Sequence, residues 1–225
     1  MRFRWLGRRL ASRHRSARPD IGYIGRPRGE TAQQLEPILA DLRRIGYDVE
    51  TLGQLPSRGR RLRDAVPILL EWLPRVTDPG VRESLVRALS VREARPAAIG
   101  PLVREFEQTE NELHRWAVGN ALDVVADDSA FDDLERIVRE PRYGKAREMV
   151  VMALGNMKKR RDDALRILIE LLDDDQLAQH ALLGLQKLGD ARAIPAVERL
   201  SAHEDRWLRT CAKETLEKLR ASRNG

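Results

Sequence analysis

Five stretches of this 225-residue chain carry the same apolar pattern at a nearly fixed spacing, and that spacing constrains the fold more than any other feature. Leu89 in "VRESLVRALS", Leu122 in "HRWAVGNALDVV", Leu154 in "AREMVVMALGNM", Leu185 in "HALLGLQKLGD" and Leu216 in "LRTCAKETLEKL" follow one another at steps of 33, 32, 31 and 31 residues. Four positions before each leucine stand Leu85, Val118, Val150, Ala181 and Ala212. One position before stand the small residues Ala88, Ala121, Ala153, Gly184 and Thr215. Three positions after stand Val125, Met157, Leu188 and Leu219, with Arg92 breaking the first. Small and apolar residues at these offsets form one face of a helix. The small column allows neighbouring helices to approach closely.

A second apolar stripe follows each of the first four anchors and also precedes the first. Its residues are Val66, Leu69 and Trp72; Ile99, Leu102 and Phe106; Phe131, Leu134 and Ile137; Leu165, Leu168 and Leu171; and Ile194, Val197 and Leu200. Gly189-Asp190 supplies a helix stop and the next N-cap. Pro67 and Pro195 stand near helix starts, where a missing N–H costs little. Asp78 and Asp205 are expected to cap first helices. "LEPILADLRRIGY" (35–47) reads as a degenerate first helix, followed by a loop through "GQLPSRGR".

A single helical hairpin cannot bury both stripes, but stacked hairpins cover one another. The expected fold is therefore all-α, an α-α superhelix or solenoid of about eleven helices in antiparallel pairs. The units fall near 31–75, 78–108, 111–140, 144–174 and 175–203, with a C-terminal capping helix at 205–221. The "VR…AL" and "LGDARAIP" patterns resemble HEAT repeats, most closely the short HEAT-like repeats also found in phycobilisome lyases. "WAVGNALDVVADD" and "AREMVVMALG" also resemble bacterial HEAT-repeat proteins of unknown function. The resemblance covers about residues 31–221. It implies a fold and leaves activity open.

Charge divides the chain in two. Residues 1–30 hold nine arginines against Asp20 and Glu30, a net of +7; since the whole chain is +6, residues 31–225 net −1. Prolines, glycines and the absence of periodicity in 1–30 predict a disordered basic arm. Arg2, Arg4, Arg8, Arg9, Arg13, Arg15 and Arg18 are candidates for nucleic-acid contact, with Trp5 and Leu6 adding stacking or membrane-surface contact. An Arg-rich, acid-poor start also resembles an organelle transit peptide. One cysteine, Cys211, excludes an internal disulfide and fits a cytoplasmic protein. No run approaches the ~20 apolar residues of a membrane span.

Chemistry-bearing motifs are sparse. His14, His114, His180 and His203 have no ligand spacing to one another, and "HE" at 203–204 occurs once. HEAT-like deoxyhypusine hydroxylases, which this dipeptide resembles, imply several such pairs in different repeats. There is no nucleotide-binding glycine loop, no "GxSxG" and no Cys/His/acid constellation, so neither cofactor nor metal is expected. The carboxylate runs Asp127-Asp128, Asp132-Asp133 and Asp173-Asp174-Asp175 suit solvated caps. A resemblance to HEAT-like alkylpurine DNA glycosylases implies a basic concave face with tryptophan and aspartate. Trp116 and Asp123 share one helix, and Arg104, Arg136 and Arg199 share a second-helix column. That column also holds Glu71 and Glu170, a poor footprint for a duplex. A phycobilin lyase rests on repeat similarity alone.

Two columns bear on function. Seven before each anchor stand Arg82, Arg115, Arg147, Ala178 and Arg209, read as a structural ladder in which Asp78 pairs with Arg82 and Asp205 with Arg209. On the side away from the expected core, the column at −6 is polar except for Trp116. The column at −2 becomes apolar at Met152 and Leu183, beside Val151 and Leu182. These five residues are candidates for a contact with a protein partner, a second copy or the chain's own arm. The expected function is a non-enzymatic scaffold for protein–protein interaction, the alternative being a nucleic-acid-associated protein that uses the arm.

Overall fold

The computed structural model describes residues 29–55 and 62–223. Among them are eleven α-helices and no strand. They are α1 (Glu30–Arg44), α2 (Val66–Trp72), α3 (Pro79–Leu89), α4 (Ile99–Gln108), α5 (Glu112–Val125) and α6 (Phe131–Val138). The series continues with α7 (Arg147–Ala153), α8 (Arg161–Glu170), α9 (Ala178–Leu188), α10 (Ile194–Leu200) and α11 (Arg206–Arg223). Short 3-10 turns precede most second helices and extend α7 and α8. The stop and start signals act where the sequence places them. Gly189 closes α9 in the left-handed region at φ 64°, where a side chain would be strained. Asp78 accepts from the Val81 N–H, and Asp205 from those of Trp207 and Leu208. Pro67 and Pro195 stand in first turns.

The packing fixes the repeat frame. Consecutive helices pack extensively as α2–α3, α4–α5, α6–α7, α8–α9 and α10–α11. Each hairpin thus joins a second helix to the first helix of the following unit, and the frame is offset by one helix from the units drawn on the sequence. The short turns between these pairs favour antiparallel neighbours. The first helices α3, α5, α7, α9 and α11 then stack directly on one another. Second helices make no comparable stack. Long side chains span them instead: Arg136 to Glu107, Arg139 to Glu170 at 2.9 Å, Arg160 to Asp132 at 3.1 Å and Arg192 to Asp162 at 2.5 Å. A solenoid bends toward its closer-packed side, so the first helices line the inside of the curve.

Small residues set that closeness. Gly155, just past α7, lies against α9, and a Cβ there would stand 2.5 Å from the Gly184 carbonyl oxygen. Lys187 of α9 reaches past this crossing to the Asp123 carboxylate on α5. Asn156 donates to the Asp123 carbonyl at 2.7 Å. Three successive first helices are thereby tied together.

The anchor columns are buried as the period requires: Leu89, Leu122, Leu154 and Leu185 have no exposure, and Leu216 has little. One further column is buried in four of the five first helices. Val86, Gly119, Val151 and Leu182, three before the anchors, also face inward. A helix flanked by two similar helices hides both sides as well as its base, so the buried arc is wider than an amphipathic stripe.

Carboxylates of the interhelical turns hold each repeat to its neighbour. One oxygen of Asp128 accepts from the backbone N–H groups of Lys158, Lys159 and Arg160 at 2.8, 2.8 and 3.0 Å, ahead of α8. Burial raises its carboxyl pKa, and these three bonds outweigh that and lower it. Asp190 acts in the same way in a later repeat, accepting from Arg192 and from Arg161 at 2.9 Å. An Asp128→Ala variant is expected to lose about 1–2 kcal/mol, because three donors lose a charged acceptor at once. Chemical denaturation of parent and variant measures it.

Candidate protein-binding groove

The N-terminal ends of α3 and α5 and the C-terminal end of α4 enclose a groove of about 430 Å³. Its floor is built by one buried carboxylate. Glu105 on α4 is 5% exposed. It accepts from Arg82 Nε and Nη2 at 2.6 and 2.7 Å, and His114 Nε2 lies 2.7 Å away. Arg82 also donates to the Val76 carbonyl at 2.9 Å. Burial raises the Glu105 carboxyl pKa, but the bonds from His114 and Arg82 outweigh it and hold it at about 2. The carboxylate, guanidinium and imidazole therefore lock the turn between α4 and α5 against α3. Their role is structural: each polar group meets a partner inside the protein.

The rim is different. Leu113, on the first turn of α5, is 73% exposed, and Trp116 one turn later is 45% exposed. Residues three apart share a helix face, so the two present adjacent apolar surface on the inside of the curve. Large side chains of this kind are otherwise buried in the solenoid; among the described residues only Ile45 and Trp207 are comparably exposed. Glu110 and Glu112 flank Leu113, both exposed and without an ion pair among the described residues. Glu83 on α3 and Glu148 on α7 occupy the register position of Trp116 on either side.

The residues expected on this face divide. Trp116 is exposed and Met152 is half-buried against the core. Val151 and Leu182 are fully buried, and Leu183 keeps 7% exposure. The apolar patch expected across the middle repeats is corrected accordingly: α7, α8 and α11 enclose α9 and bury Leu182 and Leu183, and α7, stacked between α5 and α9, buries Val151. Leu113, which the repeat columns do not single out, is the most exposed large apolar residue described. Its signal is its offset of −9, outside the buried columns, where Gly80 on α3 and Lys145 in the turn before α7 stand in neighbouring repeats.

The arginine column lies elsewhere than expected. Arg82 bonds Glu105 and not Asp78, which is occupied by capping. Arg115 donates to the carbonyls of Phe106 and Thr109, Arg147 to those of Val138 and Gly144, and Arg209 to those of His203 and Glu204. Arg147 is 6% exposed. All four thus satisfy carbonyl groups that end a second helix or its turn, Arg82 through Val76. Arg2, Arg4, Arg8, Arg9, Arg13, Arg15 and Arg18 lie outside the described residues.

Other candidates for chemistry are absorbed by the fold. Asp123 is held by Lys187, two turns of α5 from Trp116. Cys211 is buried, and burial pushes its thiol up to about 12. Burial pushes His180 down to about 4, with Glu148 3.6 Å away. Asp127 and Asp174 cap turns. No group of three or more His, Cys, Asp or Glu side chains gathers to hold a metal among the described residues. No described helix is long and apolar enough to cross a membrane.

A family model described as HEAT repeats matches residues 66–155, which run from the start of α2 to the turn that ends α7, three complete hairpins. Residues 66–155 carry HEAT repeats. No curated protein matches the chain. HEAT repeats generally mediate protein–protein interaction, and the repeats here continue through α11 beyond the matched segment.

Proposed function

We propose that this HEAT-repeat protein is a non-enzymatic scaffold that holds a protein partner on the inside of its curve, anchored at Leu113 and Trp116. The observation that carries this reading is the pair of exposed large apolar side chains beside a groove whose polar floor is fully engaged. Solenoids use such extended concave surfaces for binding, and exposed tryptophan that becomes buried is a frequent anchor. The floor supports the reading because Glu105, Arg82 and His114 bind one another and leave no group poised for proton transfer or attack. Pairing of Arg136 with Glu107 and of Arg199 with Asp173 speaks against a nucleic-acid surface on the second helices.

A Trp116→Ala variant is expected to change thermal stability by no more than about 0.5 kcal/mol, as exposed substitutions do, and to weaken partner binding about 30-fold or more. The test is a pull-down from the native host with the parent chain, Trp116→Ala and Leu113→Glu. A protein retained by the parent, lost by both variants and bound again when purified supports the reading. Equal retention by all three chains contradicts it.

A further inference from the structure

We propose that residues 1–28 of the chain dock in this groove, so that the protein's own basic segment covers the face used for a partner. The inference rests on the reading of the groove as a protein-binding surface and names its resident occupant. The first observation is where the chain enters the described fold. Thr31 Oγ1 donates to Asp78 at 2.7 Å, and Gln34 Nε2 donates to Thr77 Oγ1 at 2.8 Å. Gln34 Oε1 in turn accepts from the backbone N–H groups of Thr77 and Asp78. Thr77 and Pro79 line the groove. The start of α1 is therefore pinned at the groove's edge, and whatever precedes residue 29 leaves from there.

Charge is the second observation. Residues 1–28 hold nine arginines and one acid, Asp20, a net of +8, whereas residues 31–225 net −1. The exposed acid at the site is Glu110 and Glu112, which flank Leu113 without an ion pair among the described residues; Glu83, in register with Trp116, is held by Arg87 at 2.5 Å, and Glu148 lies 3.6 Å from His180. Arg82, the guanidinium inside the groove, is neutralised by Glu105. An arginine-rich segment meets the Glu110 and Glu112 carboxylates here, at a point where its effective concentration is set by its own tether.

The third observation is side-chain chemistry. "RFRWLGRRL" (2–10) interleaves Phe3, Trp5, Leu6 and Leu10 with Arg2, Arg4, Arg8 and Arg9. Apolar anchors with flanking cations match a groove with an apolar rim and flanking carboxylates. Trp5 is the residue assigned to Leu113 and Trp116. Twenty-six positions separate Trp5 from Thr31, a reach of up to about 85 Å, so length does not prevent the contact.

Limited trypsin digestion of the full-length chain tests this, because the segment is rich in cleavage sites. In the parent at low salt, cleavage within residues 1–28 is expected to be at least about tenfold slower than in a Trp5→Ala, Leu6→Ala double variant or in Leu113→Glu, since proteolysis follows the population of the released form. High salt should release the parent's segment too. Leu113 is largely exposed, and a melting curve of each variant matching the parent shows that the fold is kept. Equal cleavage rates in parent and variants overturn the inference, as does protection that grows with protein concentration, which would place a second copy in the groove. If arm cleavage is unchanged while Leu113→Glu still loses its partner, this inference fails and the protein-binding reading stands; if the arm is released but no partner depends on the groove, the reverse holds.

Discussion

A Gly155→Ala variant is expected to unfold about 6–12 °C below the parent, the equivalent of about 3 kcal/mol for a chain of this size. The added methyl would lie 2.5 Å from the Gly184 carbonyl oxygen, 2.7 Å from Lys187 Cβ and 3.1 Å from Gly184 Cα. Two of these three atoms are backbone, so no side-chain rotation relieves the clash. Relief requires α7 and α9 to separate, which strains the Lys187–Asp123 tie between α9 and α5 and opens the tight side of the stack. Other glycines supply the contrast. At Gly184 the nearest atom is the Leu168 Cδ2, at 2.7 Å, the far end of a flexible side chain, so an alanine there should cost less. At Gly53 the nearest atom is 3.9 Å away, and alanine should be neutral within about 0.5 kcal/mol. Thermal unfolding of the three variants measures the order. A Gly155→Ala chain as stable as Gly53→Ala would mean that the helices do not cross there.

Replacing Glu105 by glutamine should cost nearly as much, about 2–3 kcal/mol near neutral pH. The substitution keeps the shape and removes the charge, leaving the partly buried Arg82 guanidinium without its counter-ion. The effect should depend on pH in a definite direction. Glu105 is held at about 2 against an ordinary 4.5, so its folded pKa is depressed. A depressed carboxylate adds stability above its unfolded pKa and loses it as pH falls through the folded value. The gap between parent and Glu105→Gln should therefore be full above about pH 5, shrink from there to pH 2 and vanish below. A double variant with Arg82→Gln should lose much less than the sum of the two single changes, because the groups share one interaction. A pH-independent gap would assign the loss to packing alone.

The architecture could be read because its signals are local. The 31–33-residue step, the stop at Gly189, the caps at Asp78 and Asp205 and the prolines at helix starts act within a few residues of themselves. The hairpin frame could not be read in the same way. Both frames put each stripe next to another stripe, and only the packing shows that α4 folds onto α5 and not onto α3. The column of Val86, Gly119, Val151 and Leu182 escaped for a related reason: its burial comes from neighbouring first helices, which a single-helix phase does not contain. Polar ties were hidden by distance along the chain. Arg82 meets Glu105 across 23 residues, Asp128 meets the turn at 158–160 across about 30, and Lys187 meets Asp123 across 64. The candidate groove was half legible. Trp116 stood out as the one large apolar member of a polar column, whereas Leu113 stood at an offset with no column of its own.

Site-specific photo-crosslinking in the native host locates the binding face. A photo-reactive residue replaces Leu113 on the inside of the curve in one chain and Arg104, on the exposed face of a second helix, in another. If the inside of the curve is the binding face, position 113 captures a discrete protein, or the chain's own residues 1–28, and position 104 captures neither. Discrete capture from position 104 with none from position 113 would contradict the account, because the binding surface would then be the paired-charge face of the second helices.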